Sequence, residues 1–306
     1  MSGIRPWLAA ARLRTLPLSI SGVLLGCALG HFDRADTVLP LLSHPIFWLA
    51  IATTIGFQVL SNFANDYGDG IRGTDAHRKG EQRMVASGAI SPKAMKRAMI
   101  VTAVLTLFLA SLLIFAAFGN EHFIWAFVFF NLGIASVIAA VKYTVGKSAY
   151  GYSGFGDLFV FLFFGLLSVM GSYFLFTISW NSQILLPAIS IGCFSMAVLN
   201  LNNLRDRDND AKAGKNTLVV KMGASWGIRY HCVLLLIGMI CGALFMWLRG
   251  GQGVQWLFVL SYIPFLLNMR TVVKHTDPAV LDGELKKVAL STFTFALLMA
   301  IAVQAW

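Results

Sequence analysis

Residues 62–75 read NFANDYGDGIRGTD, and residues 197–215 read AVLNLNNLRDRDNDAKAGK. Each places an amide ahead of two carboxylates. Asn62, Asp66 and Asp69 are four and three apart; Asn202, Asp206 and Asp210 are four apart throughout. Those spacings put side chains on one face of a helix, provided the helix runs that far. Like charges stacked that way repel, so the stripe needs a reason. Clustered carboxylates with no His or Cys among them suit a hard divalent cation. Magnesium in particular is held by one or two carboxylates plus substrate phosphates. Arg72, Arg78, Arg83, Arg205, Lys212 and Lys215 surround the acids, and such groups bind phosphate oxygens. The chemistry expected is therefore a magnesium–diphosphate site, with Asp66, Asp69, Asp206 and Asp210 as ligands. Asn62 and Asn202 lie one turn deeper, to ligate metal or orient the acids. Two stripes 140 positions apart also read as a weak internal repeat.

Each stripe follows a long apolar run. Of the 306 residues, 57% are hydrophobic and 12% charged, and mean hydropathy is +0.71. Soluble proteins carry roughly 25% charged residues, so the chain reads as an all-α membrane protein of one integral domain. A span needs about 20 apolar residues. Nine segments qualify: 14–31, 46–65, 95–118, 122–141, 155–177, 184–204, 229–248, 253–269 and 288–306. The eighth is short and contains Pro264. The N-terminal segment has no cleavage site after a short apolar core and reads as an uncleaved interfacial stretch.

The net charge of +10 maps onto topology. With the N-terminus inside, every Lys and Arg except Arg34 and Arg249 falls on the inner side, as positive-inside orientation requires. This places the N-terminus and both acid stripes at the cytoplasmic face and removes the case for nucleic acid. Cys27, Cys193, Cys232 and Cys241 lie in apolar stretches without CxxC spacing and read as packing residues. Gly22, Gly26 and Gly30, and Gly238 and Gly242, mark close helix contacts. The six histidines show no ligand spacing. Asp157 opens the fifth span, either as a cavity residue or as a helix N-terminal acid.

NDYGD at 65–69 with Asp75, and DRDND at 206–210, resemble the two aspartate-rich motifs of the UbiA-type intramembrane prenyltransferases. QVLSNFANDYGDGIRGTD (58–75), KYTVGKSAYGYSGFGD (142–157), FFGLLSVMGSY (163–173) and AVLNLNNLRDRDNDAKAGKNTLVVKMG (197–223) are similar to the branch of that family that prenylates 1,4-dihydroxy-2-naphthoate. The resemblance implies a nine-helix bundle in a cell membrane and two magnesium ions. It implies transfer of a polyprenyl group from polyprenyl diphosphate to the naphthoate, with loss of carbon dioxide. It adds Asp75 to the metal set and makes Arg72, Arg78, Arg83, Arg205 and Lys215 the diphosphate partners. The anionic acceptor needs basic or hydrogen-bonding groups, for which Lys142 and Tyr143 are the candidates. Tyr150 and Tyr152 read equally well as interfacial tyrosines. Two positions depart from the family pattern: Gly80-Glu81 replaces a frequent Gly-Pro, and Ala149 a frequent proline. Both bear on loop stiffness.

Two other classes compete. A cation transporter would use intramembrane acids, but near the midplane and not ringed by Lys and Arg. A lipid-binding subunit would use the acids to balance basic loops, which leaves the duplicated spacing unexplained. Within the same class, a hydroxybenzoate or haem acceptor fits the middle block less well.

Overall fold

The structure is a computed structural model and describes residues 3–34, 39–73, 83–146, 149–275 and 277–304. Asp75, His77, Arg78, Glu81 and Lys147 lie outside the described residues. Nine candidate membrane spans run through the rest: α1 (Ile4–Asp33), α2 (Pro45–Arg72), α3 (Pro92–Phe118), α4 (Phe123–Lys142), α5 (Gly156–Thr177), α6 (Ser182–Lys212), α7 (Ala224–Leu248), α8 (Gly253–Lys274) and α9 (Val280–Gln304). No strand occurs among the described residues. Lipid cannot hydrogen-bond backbone groups, so closed helices are the economical way across.

The helix ends explain where the acids sit. Pro45 begins α2, where its missing N–H costs nothing. The helix then continues past the apolar run, through Asp66 and Asp69, to Gly73. Gly73 takes φ +73° and returns its N–H to the Asp69 carbonyl, an end that favours glycine. On α6 the last turns carry Asp206 and Asp210 before the chain turns at Gly214, φ +71°. Both stripes are therefore helical, as their spacing requires.

Several boundaries differ from expectation. α1 starts at Ile4 and bends at Arg12, which adopts a left-handed conformation (φ 48°, ψ 56°). α8 opens with a 3-10 stretch over Gly253–Ser261, and Pro264 falls in the first turn of the α-helical half, where it breaks no internal bond. α9 begins near residue 280 and carries Asp282, Glu284, Lys286 and Lys287 within the helix.

Packing around α6 organises the bundle. α6 is the most enclosed span, 72% of its apolar window being buried, against 11% for α4. On α4, Phe123, Ile124 and Phe127 are largely exposed, as a lipid-facing helix requires. The glycine stripe of α1 lies on α5. Gly30 approaches Tyr173 so closely that a Cβ would meet its carbonyl at 2.7 Å. Gly165 of α5 similarly meets Gly192 of α6. Gly238 packs on the Phe194 ring and Gly242 on Tyr262 and Phe295, so the glycines of α1 and α7 serve the close packing expected of them. At the end away from the aspartates, Arg249 grips both oxygens of Asp33 at 2.8 and 2.7 Å, with Tyr173 donating to the same carboxylate.

Candidate active site

The first stripe is buried: Asn62, Asp66 and Asp69 are each under 5% exposed. Asp66 accepts the backbone N–H of Met84 at 3.0 Å and of Val85 at 2.8 Å. The carboxylate thus folds the 83–90 turn over the end of α2. Asp69 accepts the Tyr152 hydroxyl at 2.7 Å and faces Arg83 at 3.6 Å. Asn62 turns away from the acids. Its Nδ2 donates to the Ala11 carbonyl at 2.8 Å and its Oδ1 accepts from Gln58. The structure joins it to the start of α1 rather than to the carboxylates.

Just past α6, Lys215 faces Asp210 at 3.5 Å and returns its N–H to the Asp210 carbonyl. Arg205 binds both oxygens of Asp206, at 2.8 and 2.9 Å, reaches Asp282 of α9 at 2.6 Å, and donates to Asn202 at 2.7 Å. Asn202 therefore orients a guanidinium, and that guanidinium is balanced by two carboxylates. Arg72 is held differently. Its guanidinium centre lies 4.1 Å over the Tyr152 ring, and it donates to the Gly146 carbonyl.

A cavity of about 360 Å³ opens between these elements. Its lining runs along α2 from Asn65 to Ala50, about 22 Å at 1.5 Å per residue. That is most of the ~30 Å hydrocarbon depth. The mouth carries Asn62, Asn65, Tyr143 and Tyr150; the far end is Leu113, Ile114, Phe129 and Leu175. Phe57, Phe159, Phe163 and Phe164 line the wall. The last two belong to a π-helical stretch, Phe161–Gly171, wider than an α-helix and frequent at functional sites.

Tyr143 and Lys142, adjacent in sequence, part company. Tyr143 lines the cavity, cradled by two glycines: a Cβ on Gly151 would meet its ring edge at 3.1 Å, and one on Gly156 its hydroxyl at 3.3 Å. Burial raises the Tyr143 phenol well above its ordinary pKa, helped by the charges of Asp157, Asp69 and Asp210. Tyr143 is thus a neutral donor at any physiological pH, close to both stripes. Lys142 is exposed and folds over Gly146 outside the cavity lining. Tyr150 donates to the Ala139 carbonyl at 2.8 Å and stacks on Phe159 at 3.9 Å. Asp157 is buried beside α7, where Tyr230 donates to it at 3.1 Å, and lies outside the cavity lining.

Four contributing residues carry no motif-like signal. The amides of Met84 and Val85 are backbone groups, invisible to a search for side-chain chemistry. Thr144 ties α2 to the 142–146 turn by donating to the Ala64 carbonyl at 2.9 Å. Tyr152 looks in sequence like any interfacial tyrosine.

Residues 19–281 match the UbiA prenyltransferase family. The chain belongs to that family. Among UbiA proteins it is 44% identical to the 1,4-dihydroxy-2-naphthoate octaprenyltransferase of Haemophilus influenzae, over 84% of this chain and 82% of that one. It is 39% identical to the Escherichia coli protein of the same name, over 99% of this chain and 96% of that one. In fold it is similar to a UbiA homologue from Aeropyrum pernix, with a TM-score of 0.68 at 14% identity over 96% of this chain and 97% of that one. A UbiA homologue from Archaeoglobus fulgidus bound to GPP and Mg2+ superposes with a TM-score of 0.62 at 16% identity, over 96% and 99%. The UbiA fold thus covers nearly the whole chain.

Proposed function

We propose that this protein transfers an octaprenyl group from its diphosphate to 1,4-dihydroxy-2-naphthoate, releasing diphosphate and carbon dioxide and forming demethylmenaquinol, the reduced form of demethylmenaquinone. The observation that carries the reading is the apolar cavity, which begins at Asn62 and Asn65, next to Asp66 on the same helix, and runs most of a bilayer's depth. A charged head at the aspartates and a long tail in the cavity describe a polyprenyl diphosphate. The names of the Haemophilus and Escherichia relatives support the naphthoate acceptor and the octaprenyl donor. The excess of Lys and Arg at the aspartate end supports a cytoplasmic-facing site in a cell membrane.

The donor set fits magnesium. Asp66, Asp69, Asp206 and Asp210 offer oxygen only, the hard ligands that this ion prefers. Among the described residues no group of three or more His, Cys, Asp or Glu stands close enough to cage a metal. That agrees with an ion completed by substrate phosphates. Two ions, one per stripe, are the reading the duplication supports. When bound, magnesium neutralises charge on the departing diphosphate.

The chain's own residues do the rest. Arg72, Arg83 and Lys215 converge on the Asp69–Asp210 region and take diphosphate oxygens. Arg205 holds Asp206 in place against Asp282. As the allylic C–O bond breaks, its electron pair leaves with the diphosphate. The ring carbon bearing the carboxylate forms the new C–C bond, and the C–CO2 bond then breaks and restores the aromatic ring. Tyr143 donates to the acceptor at the cavity mouth. The aromatic wall excludes water, which would otherwise capture the cation.

The test uses purified protein in lipid with 1,4-dihydroxy-2-naphthoate labelled at the carboxyl carbon, octaprenyl diphosphate and Mg2+. Expected are demethylmenaquinol, read as its quinone after air oxidation of the extract, and labelled carbon dioxide, both abolished by chelator. Prenylation of a different aromatic acceptor, with the naphthoate untouched, would overturn the substrate reading.

A further inference from the structure

We propose that Tyr152 is a positioning residue that aims Asp69, supports Arg72 on its ring and ties the two acid stripes together. This rests on the prenyl-transfer reading above. Its hydroxyl donates to Asp69 Oδ1 at 2.7 Å. Its backbone carbonyl accepts the N–H of Asn216 at 3.0 Å. Asn216 follows Lys215, which faces Asp210 at 3.5 Å. One residue therefore spans from the end of α2 to the turn after α6. Lys221 adds a second tie, donating from Nζ to the Ser153 carbonyl at 3.0 Å. Gly154 permits this passage: at φ +89° its missing Cβ would lie 3.1 Å from the Asn216 carbonyl oxygen.

The ring does separate work. Arg72 stacks on one of its faces at 4.1 Å, and Lys215 Nζ lies 5.9 Å from its centre. An aromatic face attracts a cation through its quadrupole without cancelling its charge. Arg205 shows the contrast, clamped between Asp206 and Asp282. Arg72 is held by a ring and a carbonyl, neither of them an anion that a diphosphate would have to displace. The hydroxyl fixes the plane of Asp69 while leaving carboxylate lone pairs for other partners. Loss of the hydroxyl is therefore predicted to loosen divalent-metal binding, and loss of the ring to loosen diphosphate as well.

The experiment compares full-length wild type with Tyr152→Phe and Tyr152→Leu in detergent. Thermal midpoints are followed while Mn2+ is titrated in the presence of geranyl diphosphate, and again while geranyl diphosphate is titrated at saturating Mn2+. For Tyr152→Phe the half-saturating metal concentration should rise roughly tenfold, in keeping with a lost hydrogen bond to a charged group, while diphosphate affinity changes little. For Tyr152→Leu both should weaken. Wild-type metal and diphosphate titrations in both variants would overturn the proposal. So would a lowered metal-free midpoint with unchanged half-saturation, since that marks a purely structural role. The titration needs no aromatic acceptor. Wild type that binds diphosphate with metal but prenylates nothing would sink the acceptor reading alone, and wild type that binds neither would sink both.

Discussion

Asp66 and Val85 meet at 2.8 Å, carboxylate to backbone amide, with Met84 on the other oxygen at 3.0 Å. Asp206 is bound by the side chain of Arg205, which Asp282 also holds. The two acids therefore differ when removed. Asp66→Ala should abolish turnover and lower stability by about 2 kcal/mol, because two buried amides lose their acceptor. Asp206→Ala should abolish turnover with a smaller loss. Product formation and thermal midpoints of both variants, compared after extraction from the membrane, check this. Near-normal turnover in either would remove that residue from the catalytic set.

Tyr143 is the described phenol at the cavity mouth that the glycines cradle. Tyr143→Phe should lower kcat/KM for the aromatic acceptor by about tenfold, the worth of one hydrogen bond to an anion. The KM for prenyl diphosphate should stay within error. Equal losses toward both substrates would count against an acceptor role.

A pH dependence follows from the same phenol. Its folded pKa is raised by burial and then by Asp157, Asp69 and Asp210. The unfolded chain therefore ionises first, near pH 10. The stability this group contributes is fully present below about pH 10 and declines as pH rises from there toward the folded value. Thermal midpoints of wild type should fall more steeply above pH 10 than those of Tyr143→Phe. Parallel curves would argue that the ring is solvated.

Arg249 and Asp33 clamp the far ends of α7 and α1, remote from both stripes. Arg249→Met leaves a carboxylate with only Tyr173 and Asn181 as described partners. Breaking such a largely buried pair costs about 3 kcal/mol. Thermal midpoint should fall while turnover per folded molecule is kept. Lost turnover at full stability would contradict the assignment.

Gly165 meets Gly192 with no room for a side chain: a Cβ would lie 2.7 Å from the Gly192 Cα. Gly165→Leu should separate α5 from α6 and cost about 1–3 kcal/mol. It should also disturb the wall formed by Phe163 and Phe164. Folded yield and midpoint report the first effect, and the KM for a long prenyl diphosphate the second. A variant as stable as wild type would mean that the two helices can part without loss.

Local rules were enough for much of this. Span number and rough position follow from run length and hydropathy, because a bilayer accepts only helices of a set length. The helical state of both acid stripes follows from their three- and four-residue spacing and from glycines that end the helices at Gly73 and Gly214. Clustered acid and base gave the expectation of a phosphate and metal site before any fold was known. Tertiary structure decided what each group faces. Asn62 shares the helical stripe of Asp66, yet its amide joins Ala11, 51 positions away. Lys142 and Tyr143 are neighbours in the chain, but only Tyr143 enters the cavity. Of 24 phenylalanines, those lining the cavity were set by which face of each span met another helix and which met lipid. Sequence cannot separate those faces, because lipid and protein interior are equally apolar. Tyr152 was hidden for a related reason: its importance lies in contacts with Asp69 and Asn216, 83 and 64 positions away along the chain.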